Sequence, residues 1–600
     1  MADTTFTART PITSTWLNEI NDAVYSSVLV GPHNVVLDGV DRTGATDATT
    51  LINSAISTLN ASGGGTIVFP SGTYKVLDIV LKSNVNLVGL GGVTLQKNGG
   101  VDETHIMYGY GTLGTATSLT TNCTEGSFTC SVGTSVNLTE GGYALLRTNE
   151  YVSGSAGRRQ EVVRIFDIAG TVITFDRAVV DTYNTASAAE LVPLVPLENV
   201  TVSGFKFVST VTGGGNVGGH VDIQYGVNVV IRDNEFYNTG GDASTRFITC
   251  YKSHVIHNEY YDGQNMSSGG YGYGIEFDEA CLFCTAAFNK SSNIREHTFT
   301  NRTRYCDFTN NIMSGHYDTG FNTHGAAVNH CIVANNIVHG TSIGAGIAVG
   351  FGAHTGGDSY IEVTGNTISS VAANGISVNA PSGQKNSNIR VTNNRVYNYG
   401  VVSATSHGIY CNYSDYCEII GNTVQGVTSN AANGIYIKDA IEAFVNSNRI
   451  RDIINGYGIT VDNLTEGVIS NNRITDISSY NVRCLNTSTS TLVSHNDADD
   501  TTNLFLTGVS QRRNSWNIFT GSTTYDPPSL VDGAGTTTTI SVTGVAVGDF
   551  ARASFSLDTQ GITITAWVSA VNTVSIRFQN ESGSTLDIAS GTLKVEVIST

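Results

Sequence analysis

The chain has 600 residues, of which 66 are glycine, 8 are proline and 14% are charged. This composition favours a turn-rich β protein and is too apolar for an intrinsically disordered chain. The formal net charge of −19, without any block of Lys or Arg, argues against nucleic acid or a membrane as a partner. No apolar run approaches the roughly 20 residues of a membrane span.

The N-terminal residues and the cysteines bear on the compartment. MADTTFTART has neither the basic start nor the apolar stretch of a secretory signal, so we expect synthesis in a cytoplasm. Ten cysteines in such a chain do not suggest a disulfide framework. Cys281 and Cys284 form a CxxC without a second pair at zinc spacing, and neither a metal nor a cofactor is predicted.

The first elements are short. Residues 1–30 contain a helical pattern around Trp16 and Leu17 and are predicted to be an attachment or cap segment. Residues 31–116 are predicted to open a solenoid, with a helix after Asp47 followed by the strand segment GGGTIVFPSGTYKV. A helix at this point would cover the open edge of the first coil. The apolar residues on one side of that helix are Leu51, Ile52, Ala55, Ile56 and Leu59.

Residues 117–190 break the period that governs the chain on both sides. The segments YALLRT, EVVRIFDI and TVITFDRAV alternate apolar and polar residues as short strands do. They predict a small inserted β domain.

Residues 191–500 carry one repeated phrase, an apolar strand that ends in Asn and is followed by another apolar residue. Neighbouring marker asparagines lie about 22 to 31 residues apart if Asn289 fills the gap between 258 and 311, and such a period predicts a solenoid. We expect these asparagines to form a hydrogen-bonded ladder and to adopt left-handed backbone angles. The other markers are Asn234, Asn258, Asn311, Asn336, Asn366, Asn394, Asn422, Asn448, Asn472 and Asn496.

The strands of this repeat share an apolar pattern. The third residue before each marker is apolar, and so is the second residue after most of them, because stacked coils share one core. A second phrase, Gly followed by an apolar residue, recurs between the markers, as in GIEF at 274 and GIYI at 434. Two or three strands per turn predict an all-β, right-handed parallel β-helix.

The chain ends in a different pattern. Residues 501–524 are polar and are predicted to be a connector that ends at Asp526-Pro527-Pro528. Residues 525–600 alternate as short strands with Gly and Asn turns, which predicts a C-terminal β-sandwich. Two roles remain open for it, a clamp that joins subunits and a carbohydrate-binding module.

Three segments resemble bacteriophage tailspikes of the pectate-lyase-like β-helix type. They are the opening helix with GGGTIVFPSGTY, the insertion EVVRIFDIAGTVITFDRAV, and the ending from YDPPSLVDGAG to ITITAWVS. The resemblance implies a homotrimer on the virion, made in the host cytoplasm and acting at the bacterial cell surface. It implies that the protein binds and cleaves a surface polysaccharide, and that the N-terminus attaches it to the phage tail or to an adaptor protein. It supplies no catalytic residues.

The candidate site is therefore taken from this chain. In the segment GIEFDE, Glu276 and Asp278 are predicted to face outward on one strand, about 7 Å apart. Asp222 in HVDIQ is expected near the same column, about 10 Å from Glu276 if one coil intervenes. Aligning GIEFD with GFNTH places Asn322 beside Glu276 and His324 beside Asp278. Two carboxyls about 6.5–9.5 Å apart suit inverting glycoside hydrolysis.

Further residues in these coils are candidates for binding or tuning. His316 and Asp318 lie where they would orient the carboxyls. Tyrosine rings offer faces for sugars, and arginines offer contacts to an acidic glycan. These candidates are Tyr271, Tyr273, Arg246 and Arg304.

Two other functions remain open. A polysaccharide lyase would act by β-elimination, for which Tyr317, His324 and Arg304 are candidates. A non-catalytic adhesin would only hold the glycan. The carboxylate cluster favours an enzyme, because unneutralised carboxylates repel an acidic capsule.

Overall fold

The computed structural model describes residues 32–99, 104–151, 158–209, 219–264, 266–267, 271–324, 327–350, 357–403, 405–426, 428–486, 488, 490–499, 504–505, 509–512, 514 and 517–599. The predicted attachment segment at 1–30 lies outside the described residues. The chain divides into two compact units, Met1–Tyr317 and Asp318–Thr600.

In the first unit the chain winds in coils that place one strand on each of three faces, and equivalent strands of successive coils pair in parallel. The strands of the first face are His33–Asn34, Gly65–Phe69, Val85–Lys97, Leu197–Val208, Gly226–Arg232, His254–Ile256, Thr285–Ala287 and Asp307–Thr309. Val85–Lys97 and Leu197–Val208 continue into the second face, whose other strands are Thr43–Asp47, Gly72–Val76, Glu235–Tyr237, Glu259–Tyr261, Lys290–Ser292 and Ile312–His316. The third face consists of Ile79–Val80, Met107–Tyr110, Val221–Gln224, Ala243–Ile248, Tyr273–Asp278 and Thr298–Thr300.

A helix lies at the start of this unit, where the sequence predicts it. It spans Thr49–Ala61 and buries Ile52, Ala55 and Ile56, whereas Leu51 is exposed. A 3-10 helix precedes it at Val35–Asp38, and another lies at Thr185–Ser187.

An antiparallel sheet with its own core interrupts the coils between Thr112 and Val195. Its strands are Thr112–Leu113, Thr117–Ser118, Thr129–Ser131, Tyr143–Tyr151, Arg158–Ala169, Val172–Phe175 and Glu190–Val195. The sheet therefore begins and ends a few residues outside the expected span 117–190. Leu145 and Val162 pack on Val227, Tyr251 and Leu282, so the sheet lies against three successive coils of the first unit.

The second unit repeats the three-faced coil. Its first face comprises Ile332–Ala334, Glu362–Thr364, Arg390–Thr392, Glu418–Ile420, Phe444–Asn446, Val468–Ser470, Thr491–Ser494 and Val509–Arg512. The second face comprises Ile337–Thr341, Thr367–Ser369, Arg395–Tyr397, Thr423–Gln425, Arg449–Ile453, Arg473–Ile477 and Asp497–Ala498. The third face comprises Phe321–Asn322, Ile347–Val349, Ile376–Asn379, Ser406–Asn412, Ala431–Ile441, Tyr457–Thr465, Val482–Leu485 and Leu504–Phe505. A further parallel pair joins Asn386–Ser387 and Ser414–Asp415.

The end of the second unit consists of two antiparallel sheets that share one apolar core. One sheet has the order Ile518–Tyr525, Gly591–Ile598 and Phe550–Phe555, and the other has the order Gly535–Ser541, Thr573–Asn580 and Ile562–Ala570. The expected connector 501–524 was wrong in its limits. Coil strands continue to Arg512, and the first sandwich strand already begins at Ile518.

The marker asparagines form the expected ladder in both units, buried and bonded from coil to coil. In the first unit Asn258 donates through Nδ2 to Asn289 Oδ1 at 3.2 Å, and Asn289 donates to Asn311 Oδ1 at 3.1 Å, so Asn289 does fill the gap. In the second unit the ladder runs from Asn336 to Asn496 and continues to Asn514. The apolar residues three positions before the markers are fully buried, as in Ile231 and Val391.

The left-handed backbone angles lie one residue earlier than expected. Asp233, His257, Asn310 and Asn393 have φ of 55–58°, and each directly precedes a marker. The marker itself directly precedes the next strand, and its side chain is buried inside the coil. A turn of the chain at the preceding residue is what directs the amide inward.

The repeated glycine phrase has a packing cause. At Gly408, a Cβ would lie 2.2 Å from Val424 Cγ1, and at Gly434 it would lie 2.4 Å from Ile450 Cγ2. Val424 and Ile450 each follow a marker by two residues. The glycine is therefore needed because its missing side chain leaves room for the apolar residue that follows the marker.

Two buried histidines in the first unit should make stability depend on pH. His297 Nδ1 and His316 Nε2 each lie 2.8 Å from Ser291 Oγ, and burial lowers their pKa values to about 4 and about 3. The unfolded chain takes up these protons near pH 6.5, so the free energy of unfolding should fall as the pH falls from 6.5 towards 4, by about 1.4 kcal/mol per histidine and pH unit.

Denaturant midpoints of the native chain and of His316→Gln at several pH values check this expectation. The variant should show a shallower loss of stability between pH 6.5 and 4. Carboxyls with raised pKa values change the free energy of unfolding with pH in the opposite direction, and they do so equally in both proteins. The difference between the two pH profiles therefore reports the contribution of His316. Parallel pH profiles would contradict the assignment.

The ten cysteines are buried and free. Among the described residues, no helix has the length and apolarity to cross a membrane.

Candidate functional site

The third face of the first unit brings the predicted carboxylates into one column. Asp222 pairs in register with Arg246, and Arg246 pairs with Glu276. One strand therefore lies between the two acidic residues, which separates their Cα atoms by about 9.6 Å, or two strand spacings. Alternation sends Ile275 and Phe277 into the core, where both are fully buried, and directs Glu276 and Asp278 to the other side.

The strand beside Glu276 differs from the one expected. Thr298–Thr300 pairs with Tyr273–Asp278 and places Phe299 opposite Glu276. The predicted alignment of Asn322 with Glu276 was wrong, because it omitted the coil that carries Asn289. His324 belongs to the other compact unit, where its backbone N–H donates to Asn322 Oδ1.

Arg246 is the centre of the cluster. Its Nε lies 3.2 Å from Glu276 Oε2, and its Nη2 lies 3.9 Å from Asp278 Oδ2. Arg302 approaches Asp278 from the other side, with Nη2 at 3.4 Å from Oδ1. Burial lowers the pKa of Arg246, but Glu276 and the neighbouring aspartates more than offset this, so its pKa is raised and the guanidinium stays charged.

Asp222 is held on its own side of the column. Its Oδ2 accepts a hydrogen bond from Tyr110 at 3.2 Å and lies 3.1 Å from His105 Nε2. Its side chain is only 4% exposed. These contacts orient the carboxylate and surround it with protein.

Asp242 is a fourth member of the cluster that sequence reasoning missed. It directly precedes the strand Ala243–Ile248 and forms a hydrogen bond with Glu276. Burial raises the pKa of Asp242 to about 6, although Arg246 opposes the rise. The sequence signal was weak, because the segment GGDAS resembles an ordinary turn.

We call Asp222, Asp242, Glu276 and Asp278 the carboxylate cluster. Burial, followed by the charge of Asp242, raises the pKa of Glu276 well above its usual range, against the effect of Arg246. The Glu276 carboxyl also shares a hydrogen bond with Asp242. Asp278 is more exposed than Glu276, at 13% against 5% of the side chain. A carboxyl with a raised pKa beside other carboxyls is an arrangement that general acid and base catalysis uses.

Two predicted binding residues belong to the interior. His316 is fully buried against Ser291, because Gly315, at φ 61°, interrupts the alternation of the strand and turns the ring inward. Tyr273 is 7% exposed and packs on Phe299, with a centroid distance of 5.2 Å. Both rings are therefore part of the core, where neither His316 nor Tyr273 presents an open face to a ligand.

Arg304 has a structural partner instead of a free guanidinium. Its Nη2 donates to Asp181 Oδ2 at 2.6 Å, and Arg159 binds the same aspartate. Asp181 lies in the inserted region, so this contact fastens the antiparallel sheet to the coils. The prediction that Arg304 grips a glycan is therefore replaced by an anchoring role.

The remaining candidates are less constrained. Tyr271 is half-buried at the start of the turn before Tyr273–Asp278. Asp318 lies in the second unit, where its Oδ1 accepts a hydrogen bond from Thr319 at 3.3 Å. Among the residues that the structure describes, no group of three or more His, Cys, Asp or Glu side chains is arranged to hold a metal ion.

Comparisons with known proteins agree with this architecture. A family model described as rhamnogalacturonase A/epimerase, pectate lyase-like, matches residues 33–162. The chain is similar to the Gp54 tailspike of Acinetobacter baumannii bacteriophage AP22, solved in complex with A. baumannii capsular saccharide, with 15% identity, a TM-score of 0.57 and 97% of each chain covered. A search of curated protein sequences finds no match.

Two further solved structures are similar over nearly their whole length. The Pseudomonas phage phi297 tailspike gp61 has 11% identity and a TM-score of 0.53, covering 95% of this chain and 100% of its own. The tailspike gp49 of Pseudomonas phage LKA1 has 13% identity and a TM-score of 0.50, covering 94% of this chain and 99% of its own. This chain therefore has the parallel β-helix fold of phage tailspikes, with a pectate-lyase-like beginning.

Proposed function

We propose that this protein is a phage tailspike that binds a bacterial surface polysaccharide and cleaves it by hydrolysis. The observation that carries the proposal is the position of Glu276, a buried carboxyl with a raised pKa that lies on the same side of one strand as the more exposed Asp278. Glu276 serves as the proton donor to the leaving oxygen. The Gp54 tailspike, which has this fold, is solved in complex with a capsular saccharide, and this supports a glycan as the ligand.

Asp278 is the preferred partner of Glu276. The two residues lie on one strand and face the same side, about 7 Å apart at the backbone. That separation leaves room for the water that an inverting enzyme activates. Asp222 is a weaker choice, because Arg246 lies between it and Glu276 in the column.

The other two functions have less support. The lyase set of Tyr317, His324 and Arg304 loses its cation, since Arg304 is bound to Asp181. An adhesin would not need a buried carboxyl with a raised pKa. Burying such a group without chemistry costs stability, whereas an acid catalyst requires it.

The test is the mass of the fragments that the protein releases from a panel of bacterial capsular polysaccharides. Hydrolysis adds one water per cut, and we expect fragments of that mass. Fragments without the added water, ending in an unsaturated sugar, would establish a lyase and contradict the role of Glu276. Binding without any fragment would make the protein an adhesin.

We also propose that the protein is a homotrimer on the virion, with the C-terminal sandwich as its clamp and the N-terminal segment as the link to the tail. The sandwich exposes the large apolar side chains Val547, Phe550 and Trp567, which a contact between copies would cover. These exposed side chains favour the clamp over a role in glycan binding alone.

Removing residues 518–600 should convert the trimer to monomers, because the sheets that carry this apolar surface are lost. Light scattering at several concentrations measures the mass. The cut is placed before Ile518, since that strand pairs with Gly591–Ile598. A truncated chain that remains trimeric, with an intact coil spectrum, would refute the clamp.

A further inference from the structure

A groove lies on the third face of the second unit, with a volume of about 450 Å³. Tyr410 and Tyr436 occupy the same outward position on neighbouring strands, and Arg483 occupies it two strands further on. His407 and Tyr457 complete the lining that matters here. We call these five residues the tyrosine groove.

The aromatic rings form a platform. The centroids of Tyr410 and Tyr436 lie 5.6 Å apart, and His407 lies 5.1 Å from Tyr410 and 4.9 Å from Tyr436. Tyrosine combines an apolar face with a polar tip, so such a platform suits the C–H faces and hydroxyls of a sugar.

Arg483 supplies a positive charge that has no ion-pair partner among the described residues. Its guanidinium carbon lies 3.5 Å from the centroid of Tyr457, and the ring holds the group in place. Its Nε is buried and has no hydrogen-bond partner among the described residues. No carboxylate of the described residues lies within 4.0 Å of the Arg483 guanidinium, the limit for an ion pair. A fixed planar guanidinium binds a carboxylate through two parallel hydrogen bonds.

The nearest polar groups have other partners or complement such a ligand. Asp462 accepts hydrogen bonds from Tyr436, at 3.1 Å, and from Asn486. Its carboxylate is therefore already bound to side chains at the edge of the groove. His407 Nδ1 lies 3.0 Å from Asn433 Nδ2, and burial lowers the pKa of His407 to about 4. The neutral ring therefore accepts at Nδ1 and carries its hydrogen on Nε2, as a donor for a hydroxyl or carboxylate.

We infer that the tyrosine groove is a second saccharide site, which binds a carboxylate-bearing sugar through Arg483 and stacks its ring on the tyrosines. The inference rests on the proposed function only for the ligand being a saccharide. Beyond the proposed function, the inference specifies that the ligand is an acidic sugar and that this site lies in the second unit. A carboxylate, not a neutral sugar, is required to neutralise Arg483.

The test uses saturation-transfer NMR on the full chain with single sugars as probes. Sodium glucuronate, galacturonate and N-acetylneuraminate are compared with glucose, galactose and N-acetylglucosamine. We expect at least one acidic sugar to bind more tightly than its neutral counterparts. Arg483→Gln and Tyr457→Ala should weaken it roughly tenfold or more, the loss of a bidentate charge-assisted contact.

Two variants serve as controls. Arg473→Gln removes an arginine that is 64% exposed on the second face and should leave binding unchanged. Glu276→Gln should also leave it unchanged. The inference is overturned if no acidic sugar binds at tens of millimolar, if neutral sugars bind equally well, or if Arg483→Gln has no effect. It is also overturned if Glu276→Gln abolishes the signal, which would assign the acidic sugar to the carboxylate cluster.

Capsule cleavage by the same variants separates this inference from the proposed function. Acidic-sugar binding without cleavage of any capsule overturns the hydrolase and leaves the groove standing. Cleavage that requires Glu276, without acidic-sugar binding, overturns the groove alone.

Discussion

Replacing Glu276 by glutamine is expected to reduce the cleavage of a susceptible capsule by roughly 10³-fold, the usual contribution of a general acid. The amide has the same shape but carries no transferable proton, so the polysaccharide should still bind. Reducing ends released per minute measure the rate, and retention on immobilised capsule measures the binding. Burial raises the pKa of Glu276, so the alkaline limb of the pH–rate profile of the native protein should lie at that raised value, where the acid loses its proton.

Glu259→Gln is the matched control for this experiment. Glu259 is also a strand glutamate of the first unit, but it lies on the second face and pairs with Lys290 at 3.1 Å. Its replacement should leave cleavage unchanged. If Glu276→Gln cleaves at the native rate, with an unchanged melting temperature, Glu276 is not the proton donor.

Replacing Asn394 by alanine should lower the free energy of unfolding by about 2–4 kcal/mol, because several buried groups lose their partners at once. Asn394 Oδ1 accepts from the backbone N–H and the side-chain Nδ2 of Asn366, both at 2.9 Å. Its own Nδ2 donates to Val363 O at 2.9 Å and to Asn422 Oδ1 at 3.0 Å. Denaturant unfolding followed by circular dichroism measures the loss.

Asn455→Ala is the control for the ladder. Asn455 is exposed and its Nδ2 donates one hydrogen bond, to Ser429 O at 3.2 Å. Water replaces that bond when the side chain is removed, so the change should be within about 0.5 kcal/mol. Equal losses in the two variants would show that burial of the ladder does not contribute to stability.

The sequence by itself determined the coil and its core. The marker asparagines, the apolar residues beside them and the glycine phrase recur at short distances along the chain, and each coil repeats the same local geometry. Residues such as Ile231 and Val391 were therefore assigned to the core correctly. Outward alternation likewise placed Glu276 and Asp278 on one side of a strand.

Only the tertiary structure decided which residues meet. Coil lengths vary, so the register that sets Phe299 beside Glu276 depends on how the coils stack. Corners also redirect side chains: Asp242 joins the carboxylate cluster from a turn, and His316 turns into the core at Gly315. Arg304 binds Asp181, which lies in the inserted region more than a hundred residues away along the chain. A period in the sequence fixes distances along the chain, whereas a site depends on distances across it.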